Sequence, residues 1–113
     1  MPPTRTEWSL DHDRCFVCGS RTCLESHEIA NGPARQKALE EPATWLRLCN
    51  ECHQGKHGLH SKGEWPLARA LALKRMRDPE HYDRLAVLRL KGRAETAVTE
   101  EEVDEWVNKM RGD

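Results

Sequence analysis

The chain has 113 residues, of which 37% are hydrophobic and 33% are charged, and its formal net charge is −1 at pH 7. This length fits one domain, and the low apolar fraction predicts a thin core that needs further support. Five cysteines and six histidines favour a bound metal as that support. The polar N-terminus and the lack of a long apolar run argue against a membrane partner, and we expect a cytoplasmic protein.

Charge is distributed unevenly along the chain. Acidic residues crowd into positions 40–41 and 100–105, which lowers the net charge and argues weakly against a nucleic-acid partner. The segment 66–93 is rich in basic residues, namely Arg69, Lys74, Arg75, Arg77, Arg84, Arg89, Lys91 and Arg93. It predicts either a local basic face that adds nonspecific contacts to DNA or a set of solvated charges.

The first half of the chain predicts a tail, a metal-binding turn, a strand and a short helix. Residues 1–14 show no sustained period and read as a tail, with Trp8 and Leu10 packing back onto the domain. The stretch Cys15-Phe16-Val17-Cys18-Gly19 is typical of a zinc-knuckle turn. Residues 23–29 alternate like a strand, the turn at 31–33 ends it, and a helix follows over about 34–41.

The second half predicts another strand and then mostly helix. Residues 44–48 form the strand, and a helix that opens at Cys49 carries His53 and His57 one turn apart on one face. Further helices are predicted over 67–76, over 80–90 and from Thr99, where Glu102 completes a capping box. The predicted organisation is an α+β metal-binding domain over 15–62, followed by a helical extension over 63–113 that packs on it.

Two cysteine pairs carry the clearest chemical signal in the sequence. Cys15-x-x-Cys18 and Cys49-x-x-Cys52 have the spacing of two knuckles that converge on one tetrahedral structural zinc. Cys23 is the odd thiol, and we expect it to be a small buried residue on the first strand. A compact knuckle that uses Cys23 and a nearby histidine is the alternative.

Three histidines form a second group of candidate ligands. His27 lies at the end of the first predicted strand, whereas His53 and His57 share a helical face. Together they would give a three-nitrogen site with an open coordination position, which metal-dependent chemistry requires. For each histidine alone, a surface or hydrogen-bonded side chain is the competing interpretation.

These motifs resemble the zinc-stapled branch of the HNH, or His-Me finger, endonucleases over about residues 15–60. The resemblance rests on Cys15-x-x-Cys18-Gly, Ser26-His27-Glu28-Ile29 and Leu46-x-Leu48-Cys49-x-x-Cys52-His53-x-x-Lys56-His57. It implies a ββα-metal finger that holds a catalytic divalent metal (Mg2+, Mn2+, Ni2+ or Zn2+) apart from the structural zinc. It also implies a phage or mobile-element setting and the hydrolysis of DNA phosphodiester bonds.

The resemblance assigns a role to each matching position. His27, His53 and His57 fall where the family binds its catalytic metal. Glu28 stands where a histidine usually acts as general base, and Thr44 stands where the namesake asparagine orients the loop. Both of these positions depart from the family pattern.

The Glu28 position leaves two registers open. A carboxylate with an ordinary pKa is a weak base at pH 7, so Glu28 needs a raised pKa to serve as the base, or else it acts as a metal ligand. In the other register His27 is itself the base and Ser26 takes the ligand place, with His53 and His57 holding the metal. The first register aligns Ile29 with the family's hydrophobic residue after the base.

The sequence therefore predicts a metal-dependent DNA endonuclease or nickase, working alone or beside a larger protein partner. Arg35, Lys37 and Lys56 are its candidate phosphate contacts, and solvated charges are their alternative reading. One rival is a catalytically inactive zinc-containing DNA-binding module of the same fold. Another is a protein-interaction adaptor that the zinc centre organises.

Overall fold

A computed structural model describes residues 2–30, 35–54 and 65–112 and shows an α+β protein with one two-stranded antiparallel sheet. The strands are β1 (Leu24–Glu28) and β2 (Trp45–Cys49). The helices of the described ranges are α1 (Arg5–Asp11), α2 (Arg35–Ala38), α3 (Asn50–Gln54), α4 (Leu67–Arg77), α5 (Arg84–Leu90) and α6 (Glu100–Met110). Short 3-10 turns cover Pro42–Thr44 and Pro79–His81. The predicted α+β class is confirmed.

The register of the sheet divides its side chains between two faces. His27 pairs with Leu46 and Glu28 with Trp45, and residues directly opposite each other in an antiparallel pair point to the same side. One face therefore carries Glu25, His27, Leu46 and Leu48, and we call it the histidine face. The other carries Leu24, Ser26, Glu28, Trp45, Arg47 and Cys49, and we call it the covered face.

Helix α1 lies over the covered face, although residues 1–14 were predicted to form a tail. A capping box between Thr4 and Glu7 begins the helix. Four contacts then join it to the sheet: Arg5 to Glu28, Ser9 to Ser26, Trp8 to Trp45, and His12 to Arg47. Trp8 is 1% exposed, as its predicted packing requires, but Leu10 is 77% exposed and does not pack back.

The C-terminal helices complete the core around a buried ion pair. Lys74 in α4 is fully buried, and its Nζ donates to Asp78 Oδ2 at 2.7 Å and to the Trp45 carbonyl at 2.9 Å. The indole N–H of Trp8 donates to the same Asp78 oxygen at 2.7 Å. Burial lowers the pKa of Lys74, against the opposing effect of Asp78. These bonds fasten α1, β2 and α4 together.

The acidic helix α6 packs against the basic helix α4. Its predicted capping box between Thr99 and Glu102 is confirmed. Arg75 forms ion pairs with Asp104 and Glu100 of α6. Lys74 and Arg77 of α4 also make contacts within the molecule, and Arg77 Nε donates to the Phe16 carbonyl. Among the described helices, none is long and apolar enough to cross a membrane.

Candidate metal centres

The four paired cysteines meet at one end of the sheet. Their sulfur atoms all lie within 4.8 Å of one another, and Cys18 Sγ lies 3.7 Å from Cys49 Sγ. A tetrahedral zinc with Zn–S bonds of about 2.3 Å holds its sulfurs about 3.8 Å apart. The Cys15, Cys18, Cys49 and Cys52 cluster therefore fits a structural zinc in both spacing and donor type.

Backbone hydrogen bonds shape the first cysteine pair into its turn. The Gly19 N–H donates to the Cys15 carbonyl at 2.9 Å, and Gly19 has a φ of 78°, which glycine adopts without strain. The buried Phe16 donates its N–H to the Arg47 carbonyl at 2.8 Å. This bond fastens the turn to β2, whose last residue is Cys49.

The thiols of this cluster titrate unequally. Burial alone raises the pKa of Cys15, but backbone hydrogen bonds, among them those involving Cys18 and Cys49, outweigh it and bring the pKa down to about 7. Burial, followed by hydrogen bonds to the other three thiols, raises the pKa of Cys52. The first thiol of the cluster therefore loses its proton readily, whereas further deprotonation is resisted. A divalent cation would neutralise the negative charges of the thiolates.

Cys23 stands outside this cluster, and the prediction that it is buried on the strand was wrong. It precedes β1, is exposed, and has a φ of 53°. Its carbonyl accepts a hydrogen bond from the N–H of Asn50, which begins α3. The structure therefore brings together the sulfur atoms of the two cysteine pairs, and the alternative ligand set that includes Cys23 is not formed.

A second cluster lies on the histidine face. β1 supplies Glu25 and His27, α3 supplies His53, and their candidate ligand atoms lie within 4.8 Å of one another. The rings of His27 and His53 stack with centroids 3.3 Å apart. The structure thus brings together two of the three predicted histidine ligands, while His57 lies outside the described residues.

Glu25 is the member of this cluster that the sequence analysis missed. Its Oε2 lies 2.9 Å from Nε2 of His27 and 3.4 Å from Nδ1 of His53. The hydrogen bond with His27 lowers the pKa of Glu25, which keeps the carboxylate ionised. The alternation of β1 was sufficient to find it, because residues two apart on a strand share a face.

Glu28, the predicted base, lies on the covered face and away from His27 and His53. Its carboxylate pairs with Arg5 of α1 at 2.7 Å, and its side chain is only 10% exposed. Ser26, the ligand of the alternative register, also points to this face, where its hydroxyl contacts the Ser9 hydroxyl and accepts a hydrogen bond from the Arg47 guanidinium. Neither side chain is positioned to act beside the two histidines.

Thr44 is fully buried between the end of β1 and the start of β2. Its hydroxyl accepts a hydrogen bond from the Ala30 N–H at 2.7 Å, and its carbonyl accepts one from the Ile29 N–H at 2.7 Å. The side chain therefore holds the chain as it leaves β1. This is a loop-positioning contact and involves no reacting group.

The predicted phosphate contacts are described only in part. Lys37 is exposed on α2. Arg35 begins α2, but its side chain lies outside the described residues, as does the whole of Lys56. The boundary predicted between 62 and 63 also falls outside the described ranges.

A third group of possible ligands, Asp78, Glu80 and His81, is better explained as structure. Asp78 is 3% exposed and accepts hydrogen bonds from Lys74 and Trp8 as well as contacting Nδ1 of His81 at 3.0 Å. Its oxygen atoms are thus already used by protein donors. This carboxylate serves as the acceptor at the centre of the core.

Comparisons of the chain with protein-family models, with curated proteins and with solved structures each gave no match. The class of this protein is therefore stated from its fold and its candidate metal cluster alone. It is a small α+β protein with a four-cysteine cluster that could hold a structural zinc.

Proposed function

We propose that this protein is a metal-dependent DNA endonuclease or nickase that hydrolyses phosphodiester bonds. The observation that carries the proposal is the contact between His27 of β1 and His53 of α3 on the face opposite the covered one. Two strands and a helix that present histidines beside a four-cysteine staple are what the resemblance to HNH endonucleases implies. Neutral imidazoles are common ligands of divalent metals.

In this proposal the two centres have separate tasks. The cysteines hold a structural zinc at the end of β2 and the start of α3, which fixes the helix that carries His53. His27 and His53 hold a divalent cation, whose positive charge stabilises the charge that builds on a scissile phosphate. Thr44 keeps the connection between β1 and β2 in place through its bond to Ala30.

The experiment is a plasmid-nicking assay on the zinc-loaded protein. Supercoiled DNA incubated with Mg2+, Mn2+, Co2+ or Ni2+ is expected to become open-circular with at least one of these ions. His53→Ala is expected to abolish nicking while retaining zinc and the circular dichroism of the folded chain. His81→Ala, which removes a half-buried histidine from outside the site, serves as the control and should nick normally.

A catalytically inactive DNA-binding module of the same fold is the second candidate. The ion pair between Glu28 and Arg5 favours it, because it holds the carboxylate at the family's base position away from the histidines. Retention of DNA that weakens with salt, without nicking by any metal, would select this candidate. The absence of both nicking and DNA retention would favour the remaining candidate, a protein-interaction adaptor organised by the zinc centre.

A further inference from the structure

We propose that Glu25 is the third protein ligand of the cation held by His27 and His53, so that the site takes borderline transition metals in preference to Mg2+ or Ca2+. This proposal depends on the proposed function only for the reaction that the metal serves, the hydrolysis of phosphodiester bonds. The binding itself is a separate property that can be measured without DNA.

The two distances from Glu25 match donors that share one ion. The same oxygen of Glu25 lies 2.9 Å from a ring nitrogen of His27 and 3.4 Å from one of His53. Bonds of about 2.0–2.2 Å from zinc to nitrogen and oxygen place neighbouring donors about 3.0–3.4 Å apart, at angles between the octahedral and tetrahedral values. The Glu25 oxygen is thus in place to share an ion with either imidazole, and the two stacked rings must turn for both nitrogens to face the same cation.

Both supporting elements are held in place by contacts outside the cluster. All five residues of β1 pair with β2, which fixes Glu25 and His27 on one face. His53 follows Cys52 directly in α3, so the cysteine cluster sets its position. A site on elements supported in this way is preorganised, and preorganisation is what metal-ligand geometry requires.

Exposure of the three side chains varies in one direction across the cluster. The side chain of His53 is 5% exposed, that of His27 is 23% exposed and that of Glu25 is 46% exposed. The buried end anchors the site in the protein, and the carboxylate end opens to solvent. A phosphate group can approach from that open side.

The donor set determines which metals the site prefers. Two imidazoles and one carboxylate suit zinc and neighbouring transition metals, whereas Mg2+ and Ca2+ prefer sites made of oxygen alone. Among Mn2+, Co2+ and Ni2+, affinity at a nitrogen-containing site generally rises in that order. We expect the same order here.

The test is calorimetric titration of protein that holds one zinc per chain with Mn2+, Co2+, Ni2+ or Mg2+, with Co2+ binding also followed by its visible absorption. Wild type is expected to bind one further transition-metal ion and to give little heat with Mg2+. Glu25→Gln should weaken Co2+ binding by more than about tenfold, since even residues that only support ligands cost about 10–100-fold. Glu51→Gln removes the same charge from an exposed site on α3 and should bind as wild type does.

The outcomes separate this proposal from the nuclease proposal. Wild-type Co2+ affinity in Glu25→Gln would overturn the ligand role and leave Glu25 as a hydrogen-bond partner of His27. A failure of wild type that holds one zinc per chain to bind any further ion would overturn it as well. A further ion that depends on Glu25, in a protein that nicks no plasmid, would support the site and refute the nuclease.

Discussion

Replacing Lys74 with methionine tests how the helical half of the protein supports the sheet. The amine of Lys74 is fully buried, donates to Asp78 and to the Trp45 carbonyl, and lies 4.7 Å from the centre of the Trp8 ring. Methionine keeps most of the volume of the aliphatic stem but removes the charge and both hydrogen bonds. Asp78 would then be a buried carboxylate without its cation.

The expected cost is large for a protein of this size. Breaking a buried ion pair by removing one partner costs about 3–5 kcal/mol, because the remaining charge stays buried. The hydrogen bond from the Trp8 indole to Asp78 survives in the variant and favours the lower end of that range. Against a typical total stability of about 5–15 kcal/mol, this loss leaves the fold only weakly stable.

The assay is urea unfolding of zinc-saturated protein, followed by tryptophan fluorescence and circular dichroism. Asp78→Asn and the Lys74→Met/Asp78→Asn double variant complete a thermodynamic cycle. The double variant should be less destabilised than the two single losses summed, with a coupling of about 0.5–3 kcal/mol. A Lys74→Met loss under about 1 kcal/mol, or additive effects in the cycle, would refute a buried, mutually dependent ion pair.

The other predictions concern the zinc cluster and the connection between the strands. Cys49→Ser should lower the zinc content below one per chain and reduce thermal stability, because a sulfur ligand is lost. Cys23→Ser is the matched control, because Cys23 lies outside the cluster. Equal zinc loss in both variants would contradict the assignment. Thr44→Val should cost about 1–3 kcal/mol in urea unfolding, because it leaves a backbone N–H without its acceptor. Thr44→Ser should restore most of that loss, and an equally unstable serine variant would refute the hydrogen-bond explanation.

Local patterns in the sequence predicted what depends on local spacing. The two cysteine pairs indicated their own cluster, since each pair lies on one turn and a four-sulfur zinc site requires both turns. The capping box at Thr99 and Glu102 is a local signal of the same kind, and Thr4 and Glu7 carry it as well, although prolines precede them in a polar segment. Helix α1 could thus have been predicted from its first turn.

Long-range contacts account for what could not be predicted. The ion pair of Arg5 with Glu28 and the bond of Trp8 with Asp78 join residues far apart in the chain, so no sequence period reports them. Lys74 looked like a surface charge because lysine is seldom fully buried without a partner, and its partners are supplied by the fold. These contacts decide which face of β1 remains open.

Helix α3 places residues of the two candidate metal centres at consecutive positions. It has five residues, too few to be stable as an isolated helix, so its contacts with the rest of the protein hold it. Successive residues of a helix are rotated by about 100°, which directs Cys52 toward the cysteine cluster and His53 toward the histidine face. The spacing between these two residues thus sets the angle between the centres, and one residue inserted there would turn the imidazole away from β1 while leaving the Cys49–Cys52 spacing intact.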